Sequence, residues 1–207
     1  KGREKPLPLF FFRGDPSLKY KSGRKMKKII RITAVLLLSV SLFSFDFNKD
    51  LEKKYNLKAE KDKKSGITWF KHNSCVKASS RIYLYFGITK KKGLVLRMVI
   101  NYFDEDRLFI NKYIFTIEDE EHILTPREQI QFIEAEELTC EYYDVMINQD
   151  EFALLQKIAQ AEEVKLRYVG AKGFKRVKIH KKAKTALEDV LNAIQEVAAH
   201  IQEQHDK

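Results

Sequence analysis

Residues Leu94 to Tyr102 are apolar on both alternating faces except at Arg97 and Asn101, the pattern of a central strand covered on both sides. Leu108 to Ile117 answers it, with Phe109, Tyr113, Phe115 and Ile117 on one face and Leu108, Ile110 and Ile114 on the other. β-branched and aromatic residues dominate both runs. The short acidic link Asp104-Glu105-Asp106 predicts an antiparallel hairpin at the centre of the sheet.

Upstream, Ile67 to Phe70 reads as a short strand and Lys71 to Ser80 as a polar loop carrying Cys75. Arg81 to Thr89 alternates Ile82, Leu84 and Phe86 against Tyr83, Tyr85 and Gly87, and turns at Lys90 to Gly93 into the central strand. Downstream, Glu118 to Glu121 is a second acidic turn. His122 to Thr125 and Gln129 to Ala135 are short strands broken at Pro126, and Leu138 to Ile147 is a stronger strand near the centre. At Asn148 the period lengthens from two to about 3.6. Asn148 or Asp150 caps the new helix, whose stripe is Phe152, Leu155 and Ile158.

Glu163 to Val169 returns to strand, burying Val164, Leu166 and Tyr168, and Gly170 to Gly173 turns it into Phe174 to His180. A last helix from about Lys182 to Gln204 carries Leu187, Val190, Leu191, Ile194, Val197, Ala198 and Ile201 at helical spacing. The expectation is a single α+β domain over 67–207: a mostly antiparallel sheet of seven to nine strands, one short helix, and a long C-terminal helix packed on it. Residues 46–66, rich in Lys and Asp, read as a flexible linker.

The net charge of +10 in 207 residues suggests a nucleic-acid partner until it is divided along the chain. Residues 1–45 hold 11 Lys+Arg against 2 Asp+Glu, a balance of +9, whereas 46–207 hold 28 against 27, a balance of +1. The basic character therefore belongs to the leader, and no nucleic-acid partner is expected. Met26-Lys27-Lys28 followed by the apolar run Ile32 to Phe45, broken by Ser39, Ser41 and Ser44, has the form of a signal peptide over 26–45. Cleavage is expected after Ser41 or Ser44, with residues 1–25 an over-extended N-terminus that includes Arg13-Gly14-Asp15. The expected location is periplasmic or secreted. The rival is a membrane anchor through an uncleaved leader, against which Arg31 and the shortness of the run both count.

Export permits a disulfide between the only two cysteines, Cys75 and Cys140, with two separate buried thiols as the alternative. No phosphate loop, nucleophile motif or His pair at metal spacing occurs, so no cofactor, metal or catalytic residue is assigned. The acidic turns read as solvated hairpin ends and not as calcium loops. Lys172, Lys175, Arg176, Lys178, Lys181, Lys182 and Lys184 read as a solvated basic face. Arg97, Glu141 and Arg167 are charges inside apolar strands and require partners. Two readings stand: an ion-pair network that fixes strand register, or an anion-binding site of Arg97, Glu141, Tyr143 and Arg167, lined also by Tyr83, Tyr85 and Tyr102.

From Trp69 to about Ala193 the order of landmarks resembles an uncharacterised family of exported bacterial domains found in lipoproteins and hypothetical secreted proteins. The pieces are Trp69-Phe70-Lys71-His72, Arg81 to Gly87, Leu94 to Tyr102, Leu108 to Tyr113, Glu141 to Asp144, and Ile158-Ala159 with Val164 to Gly170. The resemblance implies export and brings no activity. This chain departs from it at Thr139 to Asp144, where members favour a Trp-Glu-Trp-Tyr-Asp block, and at His180-Lys181-Lys182, where members carry a Ser or Thr cap. A missing cap costs the last helix about 1 kcal/mol. The functional expectation is a non-catalytic binding or interaction module of the cell envelope, meeting an envelope component or another protein. An envelope hydrolase with a site assembled from distant residues is the second reading.

Overall fold

The period-two runs become strands and the period-3.6 runs become helices, in a computed structural model that describes residues 47–76, 81–89, 93–135 and 138–205. The expected leader, its cleavage sites and Arg13-Gly14-Asp15 lie outside the described residues. A helix α1 over 47–54 leads into β1 (Leu57–Lys61), β2 (Thr68–His72), a 3-10 turn (Asn73–Val76), β3 (Ile82–Ile88) and β4 (Leu94–Asp104). Then come β5 (Ile110–Ile117), β6 (Glu120–Leu124), β7 (Gln131–Ala135), β8 (Leu138–Met146), α2 (Gln149–Gln160), β9 (Val164–Gly170), β10 (Gly173–Lys178) and α3 (Lys181–His205). The class is α+β, with ten strands among the described residues in two antiparallel sheets: β1-β2-β3-β4-β8-β7 and β10-β9-β5-β6.

Two expectations are corrected. The expected flexible linker over 46–66 is ordered structure across 47–66: Leu51 and Leu57 are buried, Phe47 stacks on His200 at 4.2 Å, and β1 pairs with β2 along its length. Lys54 Nζ and Tyr55 Oη donate to Glu196 Oε2 of α3 at 2.5 and 2.7 Å. β1 is an edge strand, and Lys58 and Glu60 on its outward side are the charges that guard such an edge; they hid the strand in the sequence.

The central hairpin of β4 and β5 does not form either. β4 lies between β3 and β8 in one sheet, and β5 between β9 and β6 in the other. The chain crosses between sheets at Leu108 to Ile110, where the buried Glu141 carboxylate accepts three backbone N–H groups: Leu108 at 2.6 Å, Phe109 at 3.1 Å and Ile110 at 3.2 Å. Phe109 has φ +55° at this crossing. Gly170 makes room for it, since a Cβ there would lie 2.2 Å from the Leu108 carbonyl oxygen.

The strand alternation sorts each sheet into an inner and an outer face. Phe70, Leu84, Phe86, Met98, Ile100 and Tyr143 point inward from the larger sheet, and Tyr113, Phe115, Val164, Leu166 and Tyr168 from the smaller. Tyr102 against Tyr168 (5.3 Å) and Tyr113 against Tyr143 (5.9 Å) join the two sheets into one core. α3 closes this core with Leu187, Val190, Leu191, Ile194 and Val197. Each fully buried side chain of this size stabilises by about 1.5–3 kcal/mol.

α2 begins with a full capping box between Asn148 and Glu151. Glu151 also accepts from Arg127, whose backbone N–H donates to Tyr143 Oη at 3.0 Å. At the other end of α2, Lys184 Nζ donates to the Ala161 and Glu162 carbonyls, both at 2.6 Å.

Candidate functional site

Strand register places Trp69, Tyr83, Tyr85, Arg97, Tyr142 and Asp144 together on the outer face of the six-stranded sheet. All six are only partly buried, around the buried Val99. Gly87 is directly opposite Trp69, and the space where its Cβ would be is taken by the indole, 2.8 Å away. The indole therefore lies flat on the sheet, with the Tyr85 ring 5.3 Å from it and Tyr83 a further 6.4 Å along.

Arg97 stands beside these rings. Its Nε donates to Asp144 Oδ1 at 2.8 Å and its Nη2 to the Asp144 carbonyl at 3.0 Å, while Tyr85 Oη donates to Asp144 Oδ2 at 2.8 Å. Burial, then the hydrogen bond to Asp144, lifts the Tyr85 phenol above its ordinary range, and burial pushes Tyr83 up to about 12. Both rings are therefore neutral donors at ordinary pH. The platform offers flat apolar surface with a held guanidinium and carboxylate at its middle: suited to stacking and hydrogen bonding, and without a nucleophile.

The four residues expected to form one anion site do not meet. Arg97 and Glu141 are on opposite faces, because Arg97 pairs with Met146 and Glu141 with Tyr102 on the inner side. Glu141 is 1% exposed and satisfied by backbone N–H groups. Tyr143 is fully buried and serves the Arg127 loop. Arg167 belongs to the other sheet, where it donates to Glu121 at 3.0 Å. Cys75 and Cys140 are two separate free thiols with no disulfide between them; burial pushes Cys75 up to about 11 and raises Cys140 as well. Among the described residues no group of three or more His, Cys, Asp or Glu is placed to hold a metal, and no helix is long and apolar enough to cross a membrane.

A second site, absent from the sequence reading, opens where β2 ends against α3. His72 is 5% exposed at an inward position of β2. Its Nδ1 lies 2.7 Å from Ser74 Oγ and 3.1 Å from the Ser74 backbone nitrogen, and its Nε2 lies 3.1 Å from Asp189 Oδ2. A backbone N–H can only donate, so Nδ1 is the acceptor and the ring proton sits on Nε2, facing Asp189. These three residues line a cavity of about 610 Å³ with Asn56, Lys181 and Lys182. The signal for it was a histidine in phase with Phe70 on an apolar alternation. Its partner Asp189, 117 residues away, could not be read from spacing.

Comparison with protein-family models, with curated proteins and with solved structures gives no match to this chain.

Proposed function

We propose that this chain is an exported binding or interaction module of the bacterial cell envelope, whose outer sheet face meets an envelope component or another protein without covalent chemistry. One observation carries the reading: the Arg97, Asp144 and Tyr85 network at the middle of a partly exposed aromatic platform. Export is supported by the basic and then apolar run over 26–45 and by the family resemblance. Against a nucleic-acid partner, the C-terminal lysines are engaged: Lys175 with Asp104 at 2.8 Å, Lys178 with Glu163 at 3.1 Å, and Lys184 with the end of α2.

Trp69 is the only tryptophan, so emission excited selectively from tryptophan reports on this face alone. Titration with soluble cell-wall glycan fragments and with detergent-solubilised envelope proteins is expected to give a saturable change in Trp69 emission with one of them. The change should be lost in Tyr85→Ala. Unchanged emission with both would sink the reading. Mass spectrometry of the protein from bacterial culture tests export, with a mature start near residues 42–46 expected. The second reading, an envelope hydrolase, is favoured by the hydrogen-bonded series Ser74, His72 and Asp189.

A further inference from the structure

The series at the end of β2 has the connectivity that nucleophilic catalysis needs: a hydroxyl within reach of a basic nitrogen, and a carboxylate on the ring's other nitrogen. We propose that Ser74, His72 and Asp189 form a hydrolytic site for small carboxylic esters bearing a negatively charged group, with Ser74 as nucleophile, His72 as general base and Asp189 as the positioning residue. This deepens the hydrolase reading and is independent of the aromatic platform, which lies on the opposite face of the sheet.

Three observations converge. The Ser74 hydroxyl and His72 Nδ1 are 2.7 Å apart, the separation across which a proton moves. The tautomer is fixed by the Ser74 backbone N–H, which leaves Nδ1 free of a proton and able to take one. Asp189 holds the Nε2 proton at 3.1 Å and stabilises the ring when it becomes charged. The cavity of about 610 Å³ is of the size that holds a small molecule. Lys181 and Lys182 on its wall supply positive charge, which selects an ester with an anionic group.

The reaction balances without a further reagent. Ser74 Oγ forms a bond to the ester carbonyl carbon as its proton passes to His72 Nδ1. The carbon–oxygen bond to the alcohol breaks, and the alcohol leaves with the proton from Nδ1. Water then attacks the acyl-serine, giving one proton to Nδ1, and Ser74 Oγ departs and recovers it. Ester and water have become carboxylic acid and alcohol.

A purely structural His72, pinning β2 to α3, would show the same distances and none of the following. The full chain is treated with a fluorophosphonate probe and its peptides sequenced by mass spectrometry, and it is assayed with 4-nitrophenyl hemisuccinate and the neutral 4-nitrophenyl butyrate. Expected are a phosphonate adduct on Ser74, hydrolysis above buffer, and at least a hundredfold loss in Ser74→Ala. Lys181→Ala with Lys182→Ala raises KM for the anionic ester by a larger factor than for the neutral one; Asp189→Asn lowers kcat and displaces the pH profile. If Ser74→Ala fails to fold, the wild-type adduct and Ser74→Thr, which keeps the hydroxyl, decide the matter. An unlabelled Ser74, or hydrolysis no faster than buffer, overturns the proposal and leaves the Trp69 titration untouched.

Discussion

The Glu141 carboxylate accepts a 2.6 Å hydrogen bond from the backbone N–H of Leu108, 33 residues earlier in the chain. With the neighbouring bonds from Phe109 and Ile110, it fixes the point at which the backbone leaves one sheet for the other. Glu141→Leu strands three N–H groups in a buried site, and a loss of about 3–5 kcal/mol is expected. Glu141→Gln keeps one acceptor and should lose less. Urea midpoints of the two variants, with unchanged slope, check the order.

Gly170 is the counterpart of that crossing. Adding a Cβ there meets the Leu108 and Phe109 carbonyls, which are backbone and cannot rotate away. Gly170→Ala should cost about 1–3 kcal/mol, read as a lower melting temperature; a variant as stable as the parent would show that the crossing is looser than described.

Arg97→Leu is expected to behave differently. Its side chain and that of Asp144 are 26% and 30% exposed, so water screens the pair and its loss should cost no more than about 1 kcal/mol. The same substitution should abolish the envelope-dependent change in Trp69 emission. A large loss of stability would assign Arg97 to scaffold.

Tyr113 is fully buried, and its hydroxyl has no hydrogen-bond partner among the described residues. Tyr113→Phe removes an unsatisfied polar atom and keeps the ring contacts with Tyr143 and Tyr168. The variant should be as stable as the parent or more stable by up to about 1 kcal/mol, measured by chemical denaturation.

Alkali should unfold the domain. Burial raises Cys75 to about 11 and Tyr83 and Tyr102 to about 12, and it also raises Tyr85, Tyr113 and Tyr168. In the unfolded chain these groups lose their protons near 9 and 10. The folded state therefore holds more protons in this interval, and stability falls as pH rises. It is fully present below about pH 9 and is lost through about pH 11 to 12. Urea midpoints should decline from about pH 9 upward, with phenolate absorbance appearing together with unfolding. A flat midpoint to about pH 11.5 would contradict this account.

Local pattern made most strands and the helices α2 and α3 legible, because a two-residue or 3.6-residue period is written in the residues themselves. Asn148 was readable as a cap for the same reason, since its partner Glu151 is three residues away. Partition of the strands between sheets was not legible. The link after β4 looked like a hairpin turn, and the residue that makes it a crossing, Glu141, lies far along the chain. Arg97 was singled out as a charge needing a partner and grouped with Glu141, but strand parity decides which face it occupies, and register shows that Asp144 shares it. His72 was not singled out as a site residue, because its chemistry depends on α3.

The bonds from Lys54 and Tyr55 to Glu196 span 142 and 141 residues, and they set a timetable for folding. At ribosomal rates of about 5–20 residues per second, roughly seven to thirty seconds pass between synthesis of these two segments. During that interval α1 and β1 have no α3 to dock against, and the cavity beside His72 lacks the wall that carries Asp189. The domain is thus completed after translation by its highest-order contacts, the slow route expected of non-local topologies. Whatever its partner, the chain offers it neither a finished core nor an assembled Ser74, His72 and Asp189 series until the last helix has been made.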